Sequence, residues 1–357
     1  MVTKRLGIIV VTMLLATVFL ILGVWFKFIY TSLITDEHGM KYTVREGTSI
    51  RAVIDDLHAL KILKYPELFK LLVSMEGVAH ELKAGEYFFP KGTTPLRLLH
   101  QITSGTGIIY YSFMIVPGWT FKDLRAAILR DSHLKHTIQN LSDAEIMQRL
   151  GHPDFKPEGE FYPDTYFFVE GSEDIHLLKR AFNAMQKRLN ASWEHREADL
   201  PFKSAYQALI AASIIEKEFY LHEELPKIAG VLVNRLNKDM LLQFDPTVIY
   251  GVGRFDGKIR RSDLLSNNPY NTYVHKGLPP TPISMPSLAA IEAVMHPMHH
   301  DYYYFVAQSM GSHQFSKELN EHYKAVEEVK KSKQFFNFSL ARYYLLKMLS
   351  QQIYSFN

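Results

Sequence analysis

From Leu6 to Ile29 the chain holds only apolar residues and glycine, apart from Thr12, Thr17 and Lys27. Its uninterrupted part, Leu6 to Phe26, is 21 residues long, and a helix of that length rises far enough to cross a hydrocarbon core of ~30 Å. Lys4 and Arg5 precede the run, while Asp36 and Glu37 follow soon after Lys27. That basic bias predicts a cytoplasmic tail at residues 1–5, a transmembrane helix at 6–29 and export of everything after it. A cleaved signal peptide is the competing reading. The run exceeds the usual apolar region of ~7 to 15 residues, however, and no clear Ala-x-Ala site follows it.

Beyond the apolar run the period of the pattern changes repeatedly. Tyr42 to Val44 alternates as a short strand, and Ser49 caps a helix carrying Ile50, Val53, Ile54 and Leu57 at helical spacing. A second helix is predicted from Pro66 to about Met75, then a strand at Glu86 to Phe89, then a helix opened by Thr94-Pro95 and closed by Ser104-Gly105. Residues 41–107 therefore read as a small α/β module. Ile109 to Val116 reads as a strand, and the Pro117-Gly118 turn leads into a helix from Phe121 to about Arg130. Further helices are expected at Ile175 to Leu189, Tyr206 to Phe219, Pro226 to Leu236 and Leu288 to Met295, with a strand at Tyr302 to Val306. The fold class is α+β: one N-terminal span, the small module, and a larger mixed domain over residues 108–330. Between Gln243 and Pro286 a stretch dense in Gly, Pro, Asn and Asp is expected to shape a binding surface. The extension, residues 331–357, returns to apolar and basic residues such as Leu340, Tyr343 and Leu345, the pattern of an amphipathic helix.

Composition narrows the chemistry. There are 40 basic and 37 acidic residues among 357, a net charge of +3, which is too weak a bias to suggest nucleic acid as a partner. No cysteine is present, so disulfides, Cys-ligated zinc, Fe–S clusters and thiol nucleophiles are all excluded. No Gly-x-Ser-x-Gly, Walker or dinucleotide fingerprint occurs. His296, His299 and His300, with His313 and His322, raise the question of a metal. Their spacing matches no zinc signature, and Pro297 would break a helix meant to present His296 and His300 on one face, so neither a metal nor a cofactor is expected.

The carboxylates are more informative. Glu216-Lys217-Glu218 closes a helix whose body, Ala208 to Ile215, is apolar on every side, the mark of a buried helix. Two residues apart on a helix means about 200°, so one cleft does not easily take both acids as a close pair. Glu218 shares its face with Ala211, Ile214 and Ile215, which favours it as the desolvated acid that stays protonated and acts as a general acid. Spacing alone leaves the plainer alternative open, that Glu-Lys-Glu is a solvated helix end. The stretch from Glu158 through Tyr162 to Tyr166 mixes acids, aromatics and turn residues, which suits sugar stacking and also suits the edge of a core. Gln243-Phe244-Asp245-Pro246-Thr247 and Asn271-Thr272-Tyr273 add further hydrogen-bonding groups.

Several long motifs in order resemble one family. They are Glu158-Gly159 through Pro163-Asp164-Thr165-Tyr166, Ala212 to Glu218, Asn234-Arg235-Leu236, Leu242-Gln243 with Asp245 to Gly251, Tyr270-Asn271-Thr272-Tyr273, Gly277-Leu278-Pro279-Pro280, and His313 with Phe315. The chain is similar to the endolytic murein transglycosylases of the YceG-like class over most of its exported length. The resemblance implies a single N-terminal anchor in the cytoplasmic membrane, a LysM-like module at residues 41–107 and a transglycosylase domain at 108–330 on the periplasmic or extracytoplasmic side. It implies cleavage of peptidoglycan strands between MurNAc and GlcNAc to leave 1,6-anhydro-MurNAc ends, as a terminator of strand elongation, with peptidoglycan synthases as candidate partners. It also places the catalytic glutamate on Glu218. Glu216 and Asp245 are candidates for support, and Glu158, Tyr166, Gln243, Asn271 and Tyr273 for binding substrate. The competing function is a membrane-anchored wall-binding or scaffold protein without catalysis.

Overall fold

The computed structural model describes residues 2–219, 221–253, 255–308 and 311–335. The fold is mixed α+β, with long helices and, among the described residues, only two-stranded sheets, and it divides into two compact units.

The first unit comprises residues 1–112 with 167–172. Its N-terminal helix α1 runs from Val2 to Tyr30, and its stretch Arg5–Tyr30 is long and apolar enough to cross a membrane. Strand β1, Met40–Val44, pairs antiparallel with β2, Gly85–Phe89, with Tyr42 opposite Tyr87. Period-two alternation turns Tyr42, Val44, Tyr87 and Phe89 to one face. That face packs into one core with Val53, Ile54 and Leu57 of α2 (Ile50–Ala59), Phe69, Leu72 and Val73 of α3 (Pro66–Glu76), and Leu98, Leu99 and Ile102 of α4 (Pro95–Ser104). The caps sit where the sequence places them: Ser49 Oγ accepts from Ala52 N, Thr94 Oγ1 accepts from Arg97 N, and Gly77 and Gly105 close α3 and α4 in the left-handed conformation. The sequence pattern treats α1 as a separate anchor, yet its last turn belongs to this core. Phe28 and Ile29 are buried in it, and the chain that follows is bound by Leu33 N to Thr93 O at 2.7 Å and Gly92 N to Ile34 O at 2.8 Å.

The second unit holds residues 113–166 and 173–357. Strands β3 (Tyr110–Met114) and β4 (Thr165–Val169) each run across a unit boundary. Within the unit, α5 (Phe121–Ile128) and α6 (Asp143–Leu150) both start on capping boxes, from Thr120 and Ser142. The long α7 (Asp174–Glu194) leads to α8 (Ala205–Glu218), around which α7, α9 (Leu225–Asn237), α10 (Asp245–Val252) and α12 (Leu288–Met295) pack. Every residue of α8 from Ala208 to Glu216 is buried, as expected for a helix without a polar face. The short α11 (Arg261–Leu264) follows α10 within the Gly- and Pro-rich stretch. Strand β5 (Tyr304–Ala307) pairs antiparallel with β6 (His313–Ser316), and α13 (Leu319–Phe335) packs on both. The amphipathic pattern expected at residues 331–357 lies, beyond residue 335, outside the described residues.

Candidate active site

Helix α8 begins at Ser204, whose Oγ accepts from Gln207 N, and its backbone leaves the helix at the extended Phe219. Glu218 is thus the last helical residue, partly open to solvent. Packing around its carboxyl pushes its pKa up to about 8, and the nearby charge of Asp245 adds to the shift. A carboxylate at a helix C-terminus also faces the negative end of the helix dipole, which favours the protonated form as well. Among the described residues no hydrogen bond or ion pair engages this carboxyl.

Glu216 lies on the other side of the same helix end and is more deeply buried, 2% exposed. The face argument assigned the larger apolar neighbourhood to Glu218; the structure buries Glu216 and leaves Glu218 partly exposed, and it separates them by their partners. Glu216 Oε2 accepts from Ser287 N at 2.9 Å and from Ser287 Oγ at 2.6 Å, so it braces the residue that caps α12. Lys217 donates from Nζ to Gly118 O at 3.0 Å. Of the three end residues, Glu218 alone presents a side chain free for chemistry.

Two segments far apart in sequence are fastened together beside it. Thr247 and Thr272 are buried, their hydroxyls 2.8 Å apart; Thr272 Oγ1 accepts from Phe244 N at 2.9 Å, and Gln243 N donates to Thr272 O at 3.0 Å. This joins residues 243–247 to residues 271–273. It brings Tyr273 onto Asp245, to which its hydroxyl donates at 2.6 Å. Burial raises the Asp245 pKa and this hydrogen bond opposes the rise, while burial and the Asp245 charge hold the Tyr273 phenol well above its usual value. Asp245 is the first residue of α10, with Pro246 behind it, so it sits at the positive end of that helix.

Arg235 frames the same region. It is 7% exposed and has carbonyls for partners: Tyr303 O at 2.6 Å from Nε, and Leu242 O at 2.7 Å and Leu241 O at 3.2 Å from Nη1. It also donates to Gln243 Oε1 at 3.3 Å and lies over the Tyr304 ring. Gln243 has a φ of 53°, a left-handed conformation that a side chain resists unless its surroundings hold it. Arg235, Thr247 and Thr272 occur in the motifs read from the sequence, but no local pattern marks them as the supports of the site.

Three other sequence candidates occupy supporting places. Glu158 is 8% exposed, with Oε1 accepting from Phe121 N at 3.0 Å and Oε2 from Tyr250 Oη at 2.9 Å; burial pushes it up to about 7. Tyr166 is buried and donates its hydroxyl to Tyr162 O at 2.7 Å. Asn271, 1% exposed, donates from Nδ2 to the carbonyls of Ser266 at 2.8 Å and Leu264 at 3.0 Å, and accepts from Tyr273 N at 3.0 Å. Asn271 shapes the loop before Tyr273 and Glu158 ties Phe121 to Tyr250 of α10, and both have little surface for a ligand. The histidines are dispersed: His299 Nε2 meets Glu197 at 2.9 Å, His300 Nε2 meets Lys227 O at 2.8 Å and His313 Nδ1 meets Glu224 at 2.7 Å. Among the described residues no three His, Asp or Glu side chains converge on a metal position.

The model of the YceG-like family matches residues 42–328. The endolytic murein transglycosylase of Bacillus subtilis strain 168 is 31% identical over 308 residues, covering 81% of this chain and 84% of that protein. The endolytic murein transglycosylase of Streptococcus pneumoniae strain D39 is 25% identical over 346 residues, and the match spans 62% of that longer protein. A crystal structure of a YceG-like protein from Listeria monocytogenes aligns with a TM-score of 0.49 at 26% identity, over 81% of this chain and 99% of that one.

Proposed function

The chain belongs to the YceG-like family, and from that premise we propose that it is a membrane-anchored endolytic murein transglycosylase with Glu218 as its catalytic acid and base. One observation carries the assignment of the residue: a carboxyl at the end of a buried helix, without a hydrogen-bond partner among the described residues, pushed up to about 8 and therefore protonated at neutral pH.

A protonated Glu218 donates its proton to the glycosidic oxygen between MurNAc and GlcNAc as positive charge grows at the muramic C1. The bond to C1 breaks and the GlcNAc side leaves with a hydroxyl. The Glu218 carboxylate then takes the proton of the same muramic C6 hydroxyl, whose oxygen bonds to C1 and closes the 1,6-anhydro ring. No water enters the products and Glu218 ends protonated, ready for another strand. Gln243, Asp245 and Tyr273 border the same site and would contact the sugar or its acid. Asn271 supports the loop that carries Tyr273, and Glu158 holds Tyr250 of α10, the helix that Asp245 begins.

Helix α1 is the anchor, with its basic N-terminus in the cytoplasm and both units beyond it on the outer face of the cytoplasmic membrane. The first unit, residues 41–107 in its globular part, serves as a LysM-like glycan-holding module. Residues 108–330 carry the transglycosylase, acting on nascent strands as they leave their synthases and so terminating elongation.

Digestion of purified sacculi, with mass analysis of the new ends, tests the proposal. The expected product carries 1,6-anhydro-MurNAc ends, and Glu218→Gln should reduce their formation by at least ~10² to 10⁴ while fold and glycan binding persist. Ends heavier by one water would identify a hydrolase. Binding without any new ends would identify a scaffold. Undiminished cleavage by Glu218→Gln would remove Glu218 from the mechanism.

A further inference from the structure

We infer that Asp245, bound by the Tyr273 hydroxyl at the N-terminus of α10, is the positioning group that keeps the acid proton on Glu218. The inference rests on the proposed role of Glu218 and goes beyond it, because it says which of two neighbouring carboxyls carries their shared proton and why.

The assignment follows from where the two acids sit. Glu218 ends α8 and Asp245 begins α10, and these helices pack against each other. The negative end of one helix dipole therefore meets Glu218, and the positive end of the other meets Asp245. Asp245 accepts a 2.6 Å hydrogen bond from Tyr273, a donor of the kind that favours a carboxylate, whereas among the described residues the Glu218 carboxyl has no such donor. Two like charges close together in a poorly solvated site do not both form at neutral pH, so one proton is retained by the pair. Burial raises the pKa of both carboxyls, and it is the helix dipoles and the Tyr273 hydroxyl that send the proton to Glu218.

The other charged groups around the pair do not reverse this. On α8, Glu216 is committed to Ser287 and Lys217 to Gly118 O. On α9, Arg235 spends its guanidinium on the carbonyls of Tyr303, Leu241 and Leu242. Behind it, Tyr304 stacks on His322, whose pKa burial and the Arg235 charge both lower, so that ring adds no positive charge near neutrality. The division of labour between the two carboxyls is the one a transglycosylase needs, since a single proton must leave Glu218 and return to it within one turnover.

The pH dependence of strand cleavage by the full-length protein in detergent is the readout. Wild-type activity should fall with an alkaline limb near pH 8. Asp245→Asn removes the negative charge, so that limb should move down by about one pH unit, with the loss at pH 8 largely recovered at pH 5.5. Tyr273→Phe deletes one hydroxyl, makes Asp245 a better competitor for the proton, and should move the limb the same way by less. Should Asp245→Asn fail to fold, Tyr273→Phe still decides the matter. A limb unmoved in the variants, with activity lowered equally at every pH, would overturn the inference and leave these residues a structural role. Retained cleavage by Glu218→Gln would instead overturn the functional reading beneath it, so the two failures are distinguishable.

Discussion

Glu160 offers a test of what the Glu158 to Tyr166 stretch is for. Its side chain is fully buried, its Oε2 accepts from Gln186 Nε2 at 2.6 Å, and its Oε1 has no partner. Burial pushes its pKa from 4.5 up to about 8, so the folded protein keeps it neutral at pH 7. In the unfolded chain the same group ionises near 4.5, and the folded state therefore loses stability as pH rises between those two values, with no loss below the lower one. At ~1.4 kcal/mol per pH unit the loss between pH 5 and pH 8 is ~3 to 4 kcal/mol. Glu160→Gln keeps the shape and an acceptor for Gln186 and cannot ionise, so its stability should lack this component. Thermal and urea unfolding of wild type and variant, followed by circular dichroism from pH 5 to pH 8, would measure it. The variant should gain on the wild type by ~3 to 4 kcal/mol across that range and should cleave peptidoglycan normally. Parallel stability profiles would refute the buried neutral carboxyl. A variant equally stable but inactive would show that the stretch binds substrate after all.

Two further expectations follow from the packing. Phe28→Ala empties a site in the core of the first unit and should cost that unit ~3 to 5 kcal/mol, read as earlier proteolysis or unfolding of residues 31–112; equal resistance in both proteins would make α1 a mere tether. Glu216→Gln disturbs the two bonds that Oε2 accepts from Ser287 and should cost ~1 to 3 kcal/mol in unfolding experiments while most cleavage activity remains, the reverse of the pattern at Glu218; abolished cleavage with unchanged stability would exchange the roles of the two acids.

Much of the fold is legible because its signals are local. Ser49, Thr94 and Ser204 cap helices by bonding backbone within three residues, and Leu288–Met295 begins and ends where its pattern says. The alternation of Tyr42 with Val44 and of Tyr87 with Phe89 suffices to give β1 and β2 a buried face. Some local signals are easy to overlook: Ser142 with Glu145 announces α6, and Asp245-Pro246 announces α10 inside a stretch otherwise suggestive of loop. The glutamate motif is legible as well, since a helix apolar on all sides must bury its end.

Tertiary structure decides what becomes of each acid there. Helical phase separates Glu216 from Glu218 by angle but says nothing about which will find a donor. Ser287, 71 residues further on, arrives at Glu216 and fastens its carboxyl into the scaffold. Tyr273, 28 residues beyond Asp245, arrives there because Thr247 and Thr272 clasp their segments together. Glu218 receives a neighbouring charge and, among the described residues, no donor. Propensity, capping and periodicity act over a few residues and are written along the chain. The proton affinity of a carboxyl depends on which remote groups pack within a few ångströms of it, and only the folded chain brings those groups into place.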